Sequence, residues 1–355
     1  MDFGWKQSFR LQHDEVIGLD IGSSEVKIVQ LHKYKGGYAV TAAGAVEIAA
    51  STNNNTKRET NTTKAIRECL QSAETHAQMA VCGVSGPEVA VRYFKFPSLP
   101  PEEIEGAVLL EAAQVCPFNV GDGTVDYQLI SDGGDNVTGI LVAATNKLIQ
   151  RKKRLIENAS LKCVLMDVEG LALLNCFSEL KPNGSERKGS SQTAAVLSVG
   201  NSHTVLAIMG DNGLPFIRDI TCAGNDIVEQ IAAENEVSTE RVREILFGCE
   251  NPAAEPELGN SLAGACEKLI VDVTETLRYY TAQEKSAVVE KVFVCGGFAL
   301  VKGFVELLNS RLSAQAVLWN PFDKVRCDAC GSHEAILAKK GPAMVVATGL
   351  AIRLI

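Results

Sequence analysis

Two short segments of the chain share an order of residue types that could bind phosphate. Residues 19–26 (LDIGSSEV) and 197–204 (LSVGNSHT) each pass from an apolar strand through a glycine and small polar residues into a second strand. Glycine lets a backbone approach its ligand closely, and successive N–H groups in such a turn form a concave anion site. Facing each other across a cleft, the two turns would hold a polyphosphate from both sides. Two unrelated hairpins with polar turns would show the same pattern.

A third segment has the features of a nucleotide-binding turn. Residues 293–300 (FVCGGFAL) read as a buried strand that ends in two glycines at the start of a helix. This arrangement places backbone against a flat ligand and a helix N-terminus near its phosphates. A glycine pair alone is common, but the order of two hairpins followed by strand, glycines and helix favours a nucleotide site.

The elements that must position these turns are those of an α/β protein. Residues 16–31 predict a hairpin, residues 38–48 a third strand and residues 79–84 a short buried strand. Residues 51–63 are polar and predict a loop, and residues 63–76 have helical spacing. The strands of this part of the chain therefore precede and follow a single helix.

The rest of the chain alternates between segments that predict strands and segments that predict helices. Residues 89–159 predict a compact unit of strand, helix, two strands and helix. Further along, the sequence predicts a strand at 163–166, a helix at 168–180, a linker at 181–193, a strand–turn–strand repeat at 194–218, helices at 225–235, 238–247 and 261–284, a surface loop at 249–260, a strand at 289–295 and a helix at 300–312.

Composition excludes several classes of protein. Hydrophobic residues make up 46% and charged residues 22% of the 355 residues, which excludes a disordered chain, a collagen and a coiled coil. The net charge of -9 makes general nucleic-acid binding a poor hypothesis. The 11 cysteines have no framework spacing, which indicates a reducing compartment. The sequence predicts no signal peptide and no membrane span.

The motifs taken together resemble a known superfamily. DIGSSEVK, DVEGLALL, VGNSHT, CGGFAL and ATGLAIR look like the phosphate 1, connect 1, phosphate 2, adenosine and connect 2 motifs of actin-like ATPases. Within it, residues 99–130, residues 140–174 and the sequence Asn320-Pro321-Phe322 resemble the PilM family of type IV pilus assembly proteins, relatives of FtsA. The resemblance covers about Val16 to Ile355. It implies an actin-like two-lobe ATPase fold with a duplicated ribonuclease-H-like core and an inserted α+β subdomain similar to subdomain 1C of FtsA.

The same resemblance implies a division of the chain. We expect an N-terminal arm at 1–15, the first part of the lobe I core (subdomain 1A) at 16–88, the inserted subdomain at 89–159, the remainder of lobe I at 160–190 and 336–355 with the linker 181–193, and lobe II (subdomains 2A and 2B) at 194–335.

The resemblance also implies roles for individual residues, with ATP and Mg²⁺ as ligands. Asp20 would hold Mg²⁺ through water and, with Glu169, belong to the catalytic set, Glu169 positioning or polarising the attacking water. The remaining nucleotide-binding residues would be Gly22, Ser23, Ser24, Lys27, Ser198, Gly200, Asn201, Thr204, Gly224, Asn225, Gly296, Gly297 and Ala299. Lys27 could instead be an exposed strand lysine, and Glu169 a carboxylate that faces its helix dipole.

The sequence departs from the superfamily pattern at two positions. The phosphate 2 motif normally begins with Asp, but this chain has Ser198, whose hydroxyl lacks the charge to help hold Mg²⁺. Ala223-Gly224-Asn225 stands where two glycines are common, so the methyl group of Ala223 would narrow the approach or require φ < 0 there. We therefore predict nucleotide binding with slow or absent hydrolysis.

Three other motifs have competing interpretations. Cys327, Cys330 and His333 have the spacing of zinc ligands, but no second cysteine pair is near, so a surface loop is favoured. The aromatic cluster of residues 3–9 favours a disordered arm over a membrane contact. The basic run 151–154 favours a solvated helix face, with a docking site for an acidic partner as the alternative.

The resemblance leads to one main function and to alternatives. It implies a nucleotide-gated scaffold that holds a cytoplasmic peptide of a PilN-like membrane protein beside the inserted subdomain, near residues 89–96 and 116–118. Other pilus platform proteins or a motor are further expected partners, and oligomerisation stays open. The protein would be cytoplasmic and recruited to the inner membrane. The alternatives are an active ATPase, a sugar kinase, and a cytoskeletal or secretion adaptor similar to FtsA or GspL.

Overall fold

A computed structural model describes residues 16–50, 55–131, 136–180, 193–210, 214–248, 256–283, 288–329 and 331–353. The expected N-terminal arm 1–15 and the linker residues 181–192 lie outside these ranges, as do residues 249–255 of the predicted surface loop. Within the described ranges the chain forms mixed sheets covered by helices.

The strands are β1 Val16–Ile21, β2 Glu25–Tyr34, β3 Gly37–Glu47, β4 Met79–Val84, β5 Val89–Pro97, β6 Gly123–Ser131, β7 Asn136–Thr145, β8 Lys162–Val168, β9 Thr193–Val199, β10 Thr204–Met209, β11 Pro215–Ile220, β12 Val289–Cys295, β13 Gln315–Leu318 and β14 Arg326–Cys327. The α-helices are α1 Asn55–Ser72, α2 Pro101–Val115, α3 Asn146–Asn158, α4 Glu169–Glu179, α5 Gly224–Glu234, α6 Thr239–Phe247, α7 Pro256–Ala265, α8 Glu267–Gln283, α9 Phe304–Arg311, α10 Gly331–Lys340 and α11 Val345–Ile352.

The two large sheets repeat one topology. The first has the order β14-β3-β2-β1-β4-β8 and the second β11-β10-β9-β12-β13. In the first, β1 is antiparallel to β2 and parallel to β4, and β4 is parallel to β8. In the second, β9 is antiparallel to β10 and parallel to β12, and β12 is parallel to β13. This duplication confirms the two-lobe, actin-like core expected from the sequence.

Helices α4 and α11 pack between the two sheets. Alternate residues of β9 point to opposite faces, so Leu197 packs in the outer core with α5 and α8, while Val196 packs against α4. Backbones approach closely at the crossing of the two central helices, since a Cβ added to Gly349 would lie 1.9 Å from the Ala172 carbonyl oxygen.

Residues 89–158 contain a third, smaller sheet with the order β5-β7-β6. Helix α2 covers one face through Ile104, Val108 and Ala112, which pack on Phe94 and other residues of the sheet. Helix α3 follows β7 directly and is capped by Thr145, whose hydroxyl accepts a hydrogen bond from the Leu148 N–H at 3.3 Å. The inserted α+β subdomain expected from the sequence is therefore present.

Several predicted boundaries were wrong. Residues 55–62 belong to α1, although the sequence predicted a loop at 51–63. Residues 256–260 begin α7 rather than end a loop, and a break after Ala265 separates α7 from α8 in the predicted helix 261–284. A 3-10 turn at 297–300 follows the paired glycines, and α9 begins only at Phe304.

One stretch has the length and apolarity of a membrane-spanning helix. It covers His333–Ile352 with a mean hydropathy of 1.4, and 72% of the window is buried inside the protein. It consists of α10, a 3-10 turn and α11, and its residues pack against β1, β2 and α4. A buried core helix explains its apolar character.

Candidate functional site

The two repeated turns have the same internal geometry. The Gly22 N–H donates to the Glu25 carbonyl oxygen at 3.0 Å, and the Gly200 N–H donates to the His203 carbonyl oxygen at 2.9 Å. At either glycine an added Cβ would lie 2.9 Å from the carbonyl oxygen that closes the turn. The N–H group of each glycine therefore closes its turn, and the small residues between that glycine and its acceptor form the tip of the turn.

The two turns meet across the cleft. The Asn201 side-chain amide donates a hydrogen bond to the hydroxyl of Ser24. These two residues come from different lobes, and each lies at the tip of its turn. The repeat seen in the sequence therefore corresponds to a pair of turns that face each other, which two unrelated hairpins would not produce.

A charged cluster lies beside the first turn. Lys27 donates to the Asp20 carboxylate, with Nζ and Oδ2 3.2 Å apart, and its Nζ is 3.7 Å from Glu25 Oε2. The Lys340 ammonium, at the end of α10, pairs with Glu25 as well. Burial alone would lower the pKa of Lys27, but the carboxylates of Asp20 and Glu25 outweigh it and raise that pKa. Lys27 is thus a buried cation rather than an exposed strand lysine.

Glu169 begins α4 and is the third carboxylate of the cluster. It is partly buried, accepts a hydrogen bond from the side chain of Ser85, and its Cγ would lie 2.9 Å from a Cβ added to Gly83. Desolvation, followed by repulsion from Asp20, raises the pKa of Glu169 to about 7, against the opposing charges of Lys152 and Lys27. A carboxylate with a pKa near neutrality is suited to exchange a proton with water.

Lys152 is a site residue that the sequence analysis missed. Its Nζ donates to the Ile21 carbonyl oxygen at 2.8 Å, directly before the first turn. Arg151, Lys153 and Arg154 are exposed, in agreement with the predicted solvated face, but Lys152 is partly buried. Helical spacing contains the signal, because Lys152 lies four residues after the buried Leu148 and four before the buried Ile156.

The glycine pair after β12 has two different roles. Gly296 has φ of 90°, and a Cβ there would lie 2.4 Å from the Val199 carbonyl oxygen, so this position requires glycine. A Cβ at Gly297 would meet nothing within 4 Å. The side chain of Ala299 is buried in the lobe II core. Gly297 therefore borders open space, whereas Gly296 packs against β9 and Ala299 packs in the lobe II core.

The start of α5 is attached to the second turn. The N–H groups of Gly224 and Asn225 donate to the carbonyl oxygens of Gly200 and Asn201 at 2.9 and 2.7 Å. The Arg243 guanidinium of α6 donates to the Asn225 amide oxygen at 2.9 Å. Ala223 has φ of -139°, which its methyl group tolerates. Gly224 and Asn225 thus stabilise the turn with their backbone N–H groups.

The serine that replaces the usual Asp is held by its neighbours. Ser198 is paired across the sheet with Cys295 and hydrogen-bonds to its thiol, while burial raises the pKa of Cys295 to about 12. In the first sheet Asp20 is paired across the ladder with Lys27, and in the second Ser198 is paired with Val205. The second turn therefore lacks both members of the ion pair. The Thr204 hydroxyl is fully buried and has no hydrogen-bond partner among the described residues.

A second contact between the lobes lies beside the turns. The Gly86 N–H donates to the Asp219 carboxylate, and a Cβ at Gly86 would lie 2.5 Å from His203 Nε2. Burial among these groups lowers the pKa of His203; the Asp219 carboxylate opposes this shift and the Lys152 charge adds to it. This contact and the Asn201–Ser24 bond join the lobes on both sides of the second turn.

The cysteine–histidine motif is not assembled as a metal site in the described part of the chain, which contains no group of three or more metal-ligating side chains. His333 is buried, and its Nε2 lies 3.2 Å from the Ala73 carbonyl oxygen. Cys327 is half-buried near Ala329, and Cys330 lies outside the described residues.

The comparisons with known proteins agree with this geometry. The family model of the type IV pilus assembly protein PilM matches residues 18–355 of this chain. The chain belongs to the PilM family of type IV pilus assembly proteins. Its fold is similar to that of a solved PilM-PilN type IV pilus biogenesis complex, with a TM-score of 0.79, 23% identity, and coverage of 96% of this chain and 98% of that one.

More distant structures share the fold. The ethanolamine utilization protein EutJ from Carboxydothermus hydrogenoformans matches with a TM-score of 0.56 and 14% identity, covering 95% of this chain and 88% of that chain. A nucleotide-free diol dehydratase-reactivating factor matches with a TM-score of 0.55 and 10% identity, covering 96% and 99%. The expected resemblance to the PilM family is confirmed, and these matches confirm the actin-like fold.

Proposed function

We propose that this PilM family member binds ATP with Mg²⁺ in the cleft between its lobes and acts as a nucleotide-gated scaffold in type IV pilus assembly. The observation that carries the proposal is the pair of equivalent turns, joined through Ser24 and Asn201 beside a buried cluster of carboxylates and amines. Turn tips, amines and carboxylates in one cleft match the chemistry of phosphate oxygens and a hard divalent cation.

The residues present fit such a ligand. Asp20 would hold Mg²⁺ through water, Lys27 would neutralise phosphate, and the tips at Ser23, Ser24 and Asn201 would contact phosphate oxygens. Gly297 supports the fit on the nucleoside side, because the space beside it admits a Cβ without contact. When bound, Mg²⁺ would neutralise the phosphate charge and help position the polyphosphate.

Slow or absent hydrolysis is part of the proposal. Ser198 offers a hydroxyl already bonded to Cys295, where the superfamily pattern has a carboxylate. An active ATPase is the second candidate, and a specific observation favours it. Glu169, with a pKa raised to about 7 by burial and by Asp20, can accept a proton near neutral pH.

The inserted subdomain offers a surface for the expected peptide of a PilN-like membrane protein. Strand β5 is an edge strand, so its outer backbone groups can pair with an added strand. Tyr93 on β5 is 43% exposed, and Leu110 on α2 is 69% exposed. Arg92 lies close enough to Cys116 to oppose the burial that raises the pKa of the thiol, so β5 and the end of α2 are neighbours. Such a partner would recruit this protein to the cytoplasmic face of the inner membrane.

Calorimetric titration with Mg-ATP, with phosphate release followed on the same sample, tests the proposal. Saturable binding with negligible release is the expected result. Binding with rapid release would favour the ATPase, and absence of binding would refute nucleotide gating. A synthetic peptide of the cytoplasmic segment of the PilN partner should bind to this protein, and Tyr93→Ala should weaken that binding. Tyr34→Ala is the matched control, because Tyr34 is an exposed tyrosine on β2.

A further inference from the structure

Helix α3 connects the inserted subdomain to the phosphate end of the cleft. At its start, Glu88 accepts a hydrogen bond from the Thr145 hydroxyl at 2.9 Å, and the Glu88 carboxylate lies 3.6 Å from the Arg151 guanidinium. Glu88 immediately precedes β5, the edge strand. The N-cap and the second turn of α3 thus touch the residue that precedes the strand we propose as the peptide-docking edge.

The next residue of α3 touches the first phosphate turn. Lys152 Nζ lies 2.8 Å from the Ile21 carbonyl oxygen, one residue before Gly22. Its charge also acts on groups from two other directions: it opposes the burial-driven rise in the pKa of Glu169 and adds to the burial-driven fall in the pKa of His203. The ammonium group is therefore surrounded by β1, the start of α4 and the second turn.

A single backbone carbonyl oxygen is a modest partner for a partly buried ammonium group, which can donate three hydrogen bonds. Phosphate oxygens between the two turns would supply charged acceptors, and charge-assisted hydrogen bonds are the stronger ones. Lys27 differs from Lys152 in this respect, because Asp20 and Glu25 already accept it.

We propose that Lys152 is a phosphate-binding residue of the cleft, and that through it α3 transmits nucleotide occupancy to β5. This inference rests on the proposed function. It assigns the regulation of peptide docking to a chain of contacts. Nucleotide phosphate holds Lys152, Lys152 fixes the second turn of α3, and Arg151 and Thr145 fix Glu88 just before β5.

The test compares Lys152→Met with Lys153→Met. Lys153 is the matched control, since it lies on the same helix, is exposed, and forms a surface ion pair with the i+4 residue Glu157. We expect Lys152→Met to weaken Mg-ATP binding by about 10- to 100-fold, the range for a lost hydrogen bond to a charged group. Lys153→Met should change the affinity for Mg-ATP by less than about twofold. Lys152→Arg, which keeps the charge, should retain most of the wild-type affinity.

Two further measurements separate a phosphate contact from a structural role. Adenosine, which has no phosphate, should bind the wild type and both variants equally. Hydrogen exchange should show that Mg-ATP protects the backbone amides of β5 in the wild type and in Lys153→Met but not in Lys152→Met.

Each outcome decides between the two proposals. A wild type that binds no Mg-ATP refutes the proposed function itself. A wild type that binds, with Lys152→Met equal to Lys153→Met, leaves the proposed function standing and overturns the role of Lys152. Loss of adenosine binding in Lys152→Met, or protection of β5 that persists in it, also overturns the inference.

Discussion

Replacement of Glu169 by Gln should stabilise the protein, and the stabilisation should depend on pH. Glu169 ionises in the folded protein with a pKa raised from 4.5 to about 7, chiefly by burial and then by the neighbouring Asp20. Gln keeps the size of the side chain and the capacity to hydrogen-bond to Ser85. It removes only the charge that the cleft disfavours.

The sign and size follow from linkage. Between pH 4.5 and 7 the folded chain holds the proton on Glu169 more tightly than the unfolded chain, so the free energy of unfolding falls as pH rises through this window. A shift from 4.5 to about 7, at about 1.36 kcal/mol per pKa unit, gives an upper limit of about 3 kcal/mol above pH 7. The gain of Glu169→Gln should therefore be small below pH 4.5 and reach its full size above pH 7.

Thermal unfolding measures this difference. An unfolding entropy of about 2.1 cal/mol/K per residue gives about 0.75 kcal/mol/K for 355 residues, so the full gain raises Tm by up to about 4 °C. Unfolding should be followed at pH 5, 6, 7 and 8 in phosphate-free buffers. Glu157→Gln, on the exposed face of α3, is the control and should show no such pH dependence. A Tm difference for Glu169→Gln that is the same at pH 5 and pH 8 would refute the reasoning.

Four other substitutions test the cleft. Gly297→Ala should leave Tm unchanged but weaken Mg-ATP binding by about tenfold or more, because overpacking a contact costs about 1–3 kcal/mol. Gly296→Ala should lower Tm because its Cβ would lie 2.4 Å from the Val199 carbonyl oxygen. Calorimetry and thermal unfolding check both predictions, and unchanged affinity in Gly297→Ala would show that no ligand lies there. Asn201→Ala should speed hydrogen exchange at Gly22 in nucleotide-free protein, since it removes the bond between the turns; equal exchange would mean that this bond does not hold the lobes. Ser198→Asp should raise phosphate release from Mg-ATP and lower Tm slightly, because Val205 offers the new carboxylate no cation; an unchanged rate would show that Ser198 does not limit hydrolysis.

The sequence predicted the duplicated core well because its signal is local. Each turn is built within four residues. Its closing hydrogen bond runs from Gly22 to Glu25 in the first turn and between the equivalent residues, Gly200 and His203, in the second. Strand positions followed from short apolar runs between small polar turns. The sequence alone does not establish that the two turns face each other, since this depends on how the lobes pack.

Helix starts without an apolar face were missed for a physical reason. The first turns of α1 from Asn55 are exposed and polar, so no hydrophobic period distinguishes them from a loop, and burial begins only at Thr62. The sequence around the start of α7 at Pro256 is rich in Pro and Glu, and it has no apolar period either. Periodicity reports a helix only where one face is buried.

Contacts between distant side chains were beyond the sequence as well. Lys340 pairs with Glu25 across almost the whole chain, and Lys152 reaches Ile21 from the inserted subdomain. A basic run of four residues has the same composition whether or not one member points inward. Helical spacing from Leu148 and Ile156 marks Lys152 as the inward member, but its contact with Ile21 depends on the register of α3 against the lobe I core.

The charges of the cleft indicate how a nucleotide would be accommodated. Asp20 and Glu25 are paired with Lys27 and Lys340, so these four groups together carry no net charge. Phosphate alone would draw Lys27 away from the carboxylates and leave them buried without a cation, which is costly. A divalent cation that arrives with the phosphate removes this cost, because it can accompany the carboxylates while the amines accompany the phosphate. The proposed dependence on Mg²⁺ therefore follows from the carboxylates beside the first turn. At Ser198 there is no carboxylate to neutralise, which lowers the free-energy cost of binding a nucleotide but also removes a group that hydrolysis would use.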